Sequence, residues 1–226
     1  MPKLRADQML VDRGLAESRS KAQALILAGL AFSGERRIDK AGQTLPEDAP
    51  LEVRGKAHRW VSRGGVKLAH ALDTFGWDVA GAVALDVGTN QLAWPLRQDP
   101  RVVVHEKTNA RYLTEAVVTE PIDLIVCDAS FISLAKVLDA ALGFAKPGGR
   151  LLALVKPQFE AERGEIGKGG VVRDAAVHER VCEAAADWVR SRGWEVEGLT
   201  TSPIKGPEGN VEFLLAAHLP APGDAG

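Results

Sequence analysis

Apolar positions along this chain follow two regimes. In the first 57 residues they are spaced for short elements. Met9, Leu10 and Leu15 mark a helical stretch from Arg5 to Arg13 that Gly14 breaks. Ser18 then caps a second helix through Ala22, Leu25, Ile26 and Leu27, stopped by Gly29. Strand-length pieces follow at Ala31–Ser33, Arg36–Ile38 and Leu51–Arg54, set apart by Gly34, Gly42, Pro46 and Pro50. From about residue 80 the runs change character. Ala82–Asp86, Arg101–His105, Ile122–Cys127 and Leu151–Val155 are apolar without alternation, as strands covered on both faces should be. Helix patterns lie between and after them at Gln91–Arg97, Ala110–Val117, Ile132–Phe144 and Ala175–Arg190, and two last strands at Glu195–Thr200 and Val211–Ala217. The whole predicts an α/β, doubly wound sheet preceded by a small α+β unit. The predicted boundaries are 1–57 for the front unit, 58–64 for a linker, 65–219 for the sheet domain and 220–226 for a disordered tail.

Composition narrows the function classes. With 46% hydrophobic and 26% charged residues in 226, there is material for a core and no sign of a disordered or fibrous chain. Apolar runs such as Leu151–Val155 fall far short of the roughly 20 residues a membrane span needs. The opening MPKLRADQ lacks the apolar centre of a signal peptide. Cys127 and Cys182 have no paired spacing and read as buried thiols in a reducing cytoplasm. The five histidines show no metal-ligand spacing. The net charge of -2 conceals an asymmetry: residues 1–70 hold 13 Lys/Arg against 8 Asp/Glu, and the remainder 15 against 22. A basic front on an acidic body points to a polyanion partner for the front alone, with a solvated basic face as the alternative.

The front unit resembles a known RNA-binding module. The run Ala6-Asp7-Gln8-Met9-Leu10-Val11, then Gly14-Leu15, Ser18-Arg19-Ser20-Lys21-Ala22, Leu25-Ile26 and Gly29, is similar to the ribosomal-protein-S-four-like domain. The resemblance implies that the second helix and its preceding loop face structured RNA. Ser18, Arg19 and Lys21 then sit where a helix N-terminus meets phosphate, with Arg5, Arg36 and Arg37 extending the patch.

Four polar residues fall where a doubly wound sheet exposes side chains to its crevice. Lys67 begins a helix ahead of the first strand, Asp128 follows Ile122–Cys127, Lys156 follows Leu151–Val155, and Glu212 opens the last strand. Two surface Lys–carboxylate pairs, each worth little, are the bland reading. The strings KLAHAL, CDASFISL, LVKPQFE and GNVEF resemble the TlyA (hemolysin A) family of RNA methyltransferases, whose catalytic domain belongs with the FtsJ-type ribose 2′-O-methyltransferases. That resemblance implies a catalytic tetrad of Lys67, Asp128, Lys156 and Glu212. It further implies S-adenosylmethionine as methyl donor and a ribose 2′-hydroxyl of ribosomal RNA, on a cytidine, as acceptor. The residue types suit the task, because a lysine can orient a weakly nucleophilic hydroxyl or take its proton if neighbouring charge and burial lower its pKa. The alternative is an RNA-binding protein with a catalytically impaired methyltransferase domain. Gly164-x-x-Gly167-Lys168-Gly169-Gly170 has the wrong spacing for a phosphate loop and reads as a mobile loop beside the substrate.

One stretch departs from the family pattern. Ala84-Leu85-Asp86-Val87-Gly88 runs straight into Thr89-Asn90-Gln91, where relatives carry a glycine-rich loop, a helix and a second strand. The sheet is therefore expected to lack one helix and one strand, leaving Ala82–Val87 beside Ile122–Cys127. Donor contacts are expected from Asp86, Gly88, Asn109 and Asp128, with donor binding weak or absent.

Overall fold

The structure, a computed structural model, describes residues 3–54, 60, 62–87, 94–105, 108–206 and 208–223. They form two compact units, Met1–Val66 and Lys67–Gly226.

In the N-terminal unit, β1 (Lys3–Arg5) leads into α1 (Ala6–Asp12), and α2 (Arg19–Leu27) follows. Ser18 caps α2, its hydroxyl accepting from Lys21 N at 3.3 Å. Gly29, at φ +71°, ends that turn in a conformation open to glycine. β2 (Ala31–Ser33), β3 (Arg36–Arg37), β4 (Thr44–Pro46) and β5 (Glu52–Val53) complete the unit. β2 pairs antiparallel with β3 and β5, and β1 with β4. The β1–β4 pair escaped the sequence pattern because three residues are too few to show alternation. Met9, Leu10, Ala22, Ile26, Ile38 and Leu45 close a small core.

Asp7 is buried beneath this surface. It accepts from Arg5 Nε and Nη2, each at 2.9 Å, from Gln23 Nε2 at 3.0 Å and from Arg19 Nη2 at 3.1 Å. The Arg5 guanidinium, working against burial and aided by Gln23 and Arg19, holds the Asp7 carboxyl well below the usual carboxylate range. A depressed pKa contributes stability above the unfolded value and loses it below. The α1 and α2 amides should therefore lose hydrogen-exchange protection as pH falls below about 4. Asp7→Asn should destabilise the unit by about 1–3 kcal/mol at neutral pH and remove that acid dependence. Identical acid profiles in the two proteins would refute this role.

The C-terminal unit holds a five-stranded sheet. α3 (Arg63–Phe75) precedes β6 (Ala84–Val87), and α4 (Trp94–Arg97) and a single 3-10 turn at Ala110–Tyr112 lie between β6 and β7 (Ile122–Cys127). Then come α5 (Leu134–Leu142), β8 (Ala145–Val155), α6 (Pro157–Glu160), α7 (Ala175–Ser191), β9 (Glu195–Thr201) and β10 (Phe213–His218). The strand order is β6-β7-β8-β10-β9, with β6, β7 and β8 parallel and β10 antiparallel to both its neighbours. Alternation along β8 serves both faces. Leu151, Ala153 and Val155 pack with α5 and α7, while Leu152 and Leu154 pack with Ala71 of α3 and Trp77. Cys127 and Cys182 are buried and unpaired with each other, and burial pushes the Cys127 thiol up to about 12.

Several expectations need correction. Arg101–His105 forms no strand: Val103 is 78% exposed, and the strand paired with β6 is β7. An apolar run becomes a strand only beside a hydrogen-bonding neighbour. The helix expected at Ala110–Val117 shrinks to one turn, because Thr114, Val117, Val118 and Thr119 are β-branched and favour other conformations. β8 begins at Ala145 rather than Leu151, and β10 begins one residue after Glu212. The loop expected to be mobile after Lys156 is tied down. Gly164 lies in a capped 3-10 turn at Arg163–Glu165, and Asn210, fully buried, donates to Gly170 O and accepts from Val172 N. Of the expected 58–64 linker, residues 58, 59 and 61 lie outside the described residues, and its last two positions, Arg63 and Gly64, belong to α3. Residues 220–223 carry no helix or strand, and 224–226 lie outside the description.

Candidate active site

All four candidate catalytic residues lie in the C-terminal unit, and the sheet brings them into one cluster. Asp128 leaves the carboxyl end of β7, Lys156 the carboxyl end of β8, Glu212 immediately precedes β10, and Lys67 projects from α3. Because β10 is antiparallel to β8, its start lies beside the end of β8, with Phe213 opposite Val155. That register brings Glu212 to the same edge as Asp128 and Lys156.

The ion pairs form one chain of contacts. Glu212 Oε2 lies 2.8 Å from Lys67 Nζ, Lys67 Nζ 3.3 Å from Asp128 Oδ2, and Asp128 Oδ1 2.6 Å from Lys156 Nζ. Lys156 also donates to Ser130 Oγ at 2.8 Å. Lys156 is 7% exposed and Glu212 2%, so the surface-pair reading fails on burial. Burial opposes ionisation of Asp128, yet the two flanking ammoniums outweigh it and hold the carboxyl below its usual value. An ammonium has three donors, and two of those on Lys156 are engaged. Among the described residues the third has no partner within the cluster and can meet a hydroxyl approaching over the strand ends.

Neighbouring groups fix this cluster. A Cβ at Gly206 would come 2.8 Å from Glu212 Oε1, so glycine there lets the carboxylate lie against the backbone. Ser202 N donates to Glu212 O at 2.8 Å. Glu160 accepts from Leu134 N at 2.7 Å, tying the turn after Lys156 to the helix after Asp128, and burial pushes its carboxyl up. Ser130, Gly206, Asn210 and Glu160 carried no signal of their own in the sequence beyond lying in or near the four strings. Phe131 is a further residue the sequence reading missed. Its φ of 65° is rare for a bulky residue and its side chain is 91% exposed, leaning on Phe159 with ring centroids 5.1 Å apart. Backbone strain therefore presents an aromatic face three residues beyond Asp128.

The model of the FtsJ-like methyltransferase family matches residues 78–219, a span that includes Asp128, Lys156 and Glu212. The chain belongs to the FtsJ-like methyltransferase family. Within and around that family it is 44% identical to YqxC of Bacillus subtilis, over 99% of this chain and 89% of that one. It is 42% identical to the 16S/23S rRNA (cytidine-2′-O)-methyltransferase TlyA of Mycobacterium tuberculosis, over 93% of this chain and 88% of that protein. A solved structure of a hemolysin from Streptococcus thermophilus is 37% identical and superposes with a TM-score of 0.70, covering 98% of this chain and 90% of that one. The family match starts after Lys67, which joins the cluster through α3.

The expected donor-site residues are less well gathered than the tetrad. Asp86 stands near the carboxyl end of β6 with its side chain exposed, where partial desolvation and the charge on Asp128 hold its carboxyl above its usual value. Asn109 spends its side-chain oxygen on Arg111 N at 3.1 Å, capping the 3-10 turn. Asp128 is engaged by both lysines, and Gly88 lies outside the described residues.

In the N-terminal unit the candidate RNA contacts are on or beside α1, α2 and β3. Arg5 and Arg19 are both held by Asp7 while keeping half of their side-chain surface exposed. Lys21 and Arg36 are exposed, with no ion pair among the described residues, whereas Arg37 pairs with Asp39. Among the described residues no helix is long and apolar enough to cross a membrane.

Proposed function

We propose that the tetrad of Lys67, Asp128, Lys156 and Glu212 methylates a ribose 2′-hydroxyl, on a cytidine of ribosomal RNA, with S-adenosylmethionine as donor. The observation that carries this reading is the continuous run of ion pairs from Glu212 to Lys156 at the sheet's carboxyl edge. A ribose hydroxyl is a poor nucleophile, and methyl transfer demands alignment more than acid catalysis. Lys156 orients the hydroxyl by donating its remaining N–H to the oxygen, and the hydroxyl proton leaves to water as the oxygen takes the methyl group. Asp128 and Ser130 fix the Lys156 ammonium, and Lys67, itself held by Glu212, fixes Asp128. The donor, when bound, supplies an electrophilic methyl group on a sulfonium. Phe131 offers its exposed ring to the base of the target nucleotide, since aromatic stacking holds an unstacked base without reading its sequence.

The N-terminal unit docks the RNA through Arg5, Ser18, Arg19, Lys21 and Arg36. Asp7 keeps Arg5 and Arg19 in fixed positions before RNA arrives, which lowers the ordering cost of binding. Arg19→Ala together with Lys21→Ala should weaken rRNA binding and flatten the dependence of log affinity on log salt by about one unit per lost phosphate contact. Unchanged affinity and slope would exclude this face.

The activity is tested with unmodified 16S and 23S rRNA and methyl-labelled S-adenosylmethionine at millimolar concentration. Label on a cytidine ribose is the expected outcome. Label on a base, or rRNA binding without label, would overturn the reading, and the second result would favour an RNA-binding protein with an impaired methyltransferase domain.

A further inference from the structure

Resting on that methyltransferase reading, we infer that this chain holds its methyl donor far more weakly than its relatives do, because it lacks a segment after β6 that would wall the donor site. In a doubly wound sheet a nucleotide-like ligand sits where successive connections diverge to opposite sides of a strand, opening a crevice. Among the described residues β6, β7 and β8 succeed one another in a single direction, with β6 at the sheet edge. No such divergence exists at β6 among the described residues.

Length accounts for the loss. The alignment with the Bacillus relative runs over 249 positions against 226 residues in the whole chain, so at least 23 positions of that relative have no counterpart here. One helix and one strand need about that many residues. The sequence fits a loss directly after Val87-Gly88, where a first strand's end leads into Thr89-Asn90-Gln91 with no room for a crossover. Side chains that a further strand would cover are bare: Val83 is 36% exposed, Val104 39% and Val103 78%.

The residues that remain do not make up the difference. Of the four expected donor contacts, Asp128 is committed to two lysines and Asn109 to its own turn, which leaves Asp86 as the described carboxylate available for ribose hydroxyls. Each neutral hydrogen bond lost weakens binding about fivefold. An unmatched segment that supplied three such bonds leaves by its loss a deficit of roughly a hundredfold. The tetrad, anchored on β7, β8, β10 and α3, is untouched by it.

Titration calorimetry of the 226-residue protein and of the Bacillus relative with S-adenosylmethionine and S-adenosylhomocysteine tests this. The expected Kd is at least about a hundredfold weaker for this chain. Micromolar binding by this chain would overturn the inference. Inserting the relative's unmatched segment after Gly88 should restore affinity, and deleting it from the relative should abolish high affinity there. If both variants fold, as judged by hydrogen exchange of β7 and β8, and neither affinity changes, the assigned cause is wrong. A refilled chain that binds the donor yet methylates no ribose would refute the ribose reading while leaving the donor-site inference standing.

Discussion

Lys156→Ala is expected to lower the single-turnover rate of methyl transfer by about 10²–10³-fold at saturating donor, the range lost when one positioned donor to a reacting oxygen is removed. Its affinity for rRNA should stay unchanged, because the cations proposed to dock RNA belong to the N-terminal unit. Lys156 is 7% exposed and touches Asp128 and Ser130, so truncation removes the group facing the hydroxyl while leaving the β8 backbone paired on both sides. A mutant that keeps the parental rate at saturating donor would remove Lys156 from the alignment of the hydroxyl. A mutant that loses donor affinity in parallel would instead make Lys156 a donor-binding residue.

The second large effect concerns stability. Lys67→Met should destabilise the C-terminal unit by about 3–5 kcal/mol, the usual cost of stranding one member of a buried ion pair. Glu212 is 2% exposed, and Gly206 lies directly against its Oε1, so the carboxylate has no short route to water. The double variant Lys67→Met with Glu212→Leu should recover most of that loss, since a buried ion pair replaced by apolar groups of similar size is often neutral. The rate of methyl transfer should nevertheless remain suppressed. Urea denaturation of the two variants, read beside single-turnover rates, separates these outcomes. An inactive but fully stable Lys67→Met protein would mean that Glu212 is not left stranded. An active double variant would remove both residues from the chemistry.

Much of this protein was legible in the sequence, for reasons that can be traced to particular residues. Ser18 and Gly29 delimit α2 because a hydroxyl cap and a left-handed glycine act within a few residues. Ile122–Cys127 and α7 were visible because long, consistent apolar patterns leave little choice of element. Asp128 and Lys156 could be singled out since a polar residue directly following an apolar strand lies at the ligand-binding edge of such a sheet, whereas Lys67 and Glu212 were singled out through the strings they sit in. What the sequence could not decide were matters of partnership between distant residues. Whether Val102–Val104 becomes a strand depends on a hydrogen-bonding neighbour, and the strand paired with β6 is β7. Whether Lys67 and Glu212 are solvated charges or a buried pair depends on β10 running antiparallel beside β8, which sets their contact at 2.8 Å. Ser130 becomes a lysine partner, Asn210 a clamp on residues 170–172 and Asp7 an anchor for two arginines only once separate segments are packed together. Local conformation is fixed by local sterics and caps, so it can be read from neighbours in the chain. The charge state and burial of a side chain are fixed by whatever the fold places against it, and that is settled only in three dimensions.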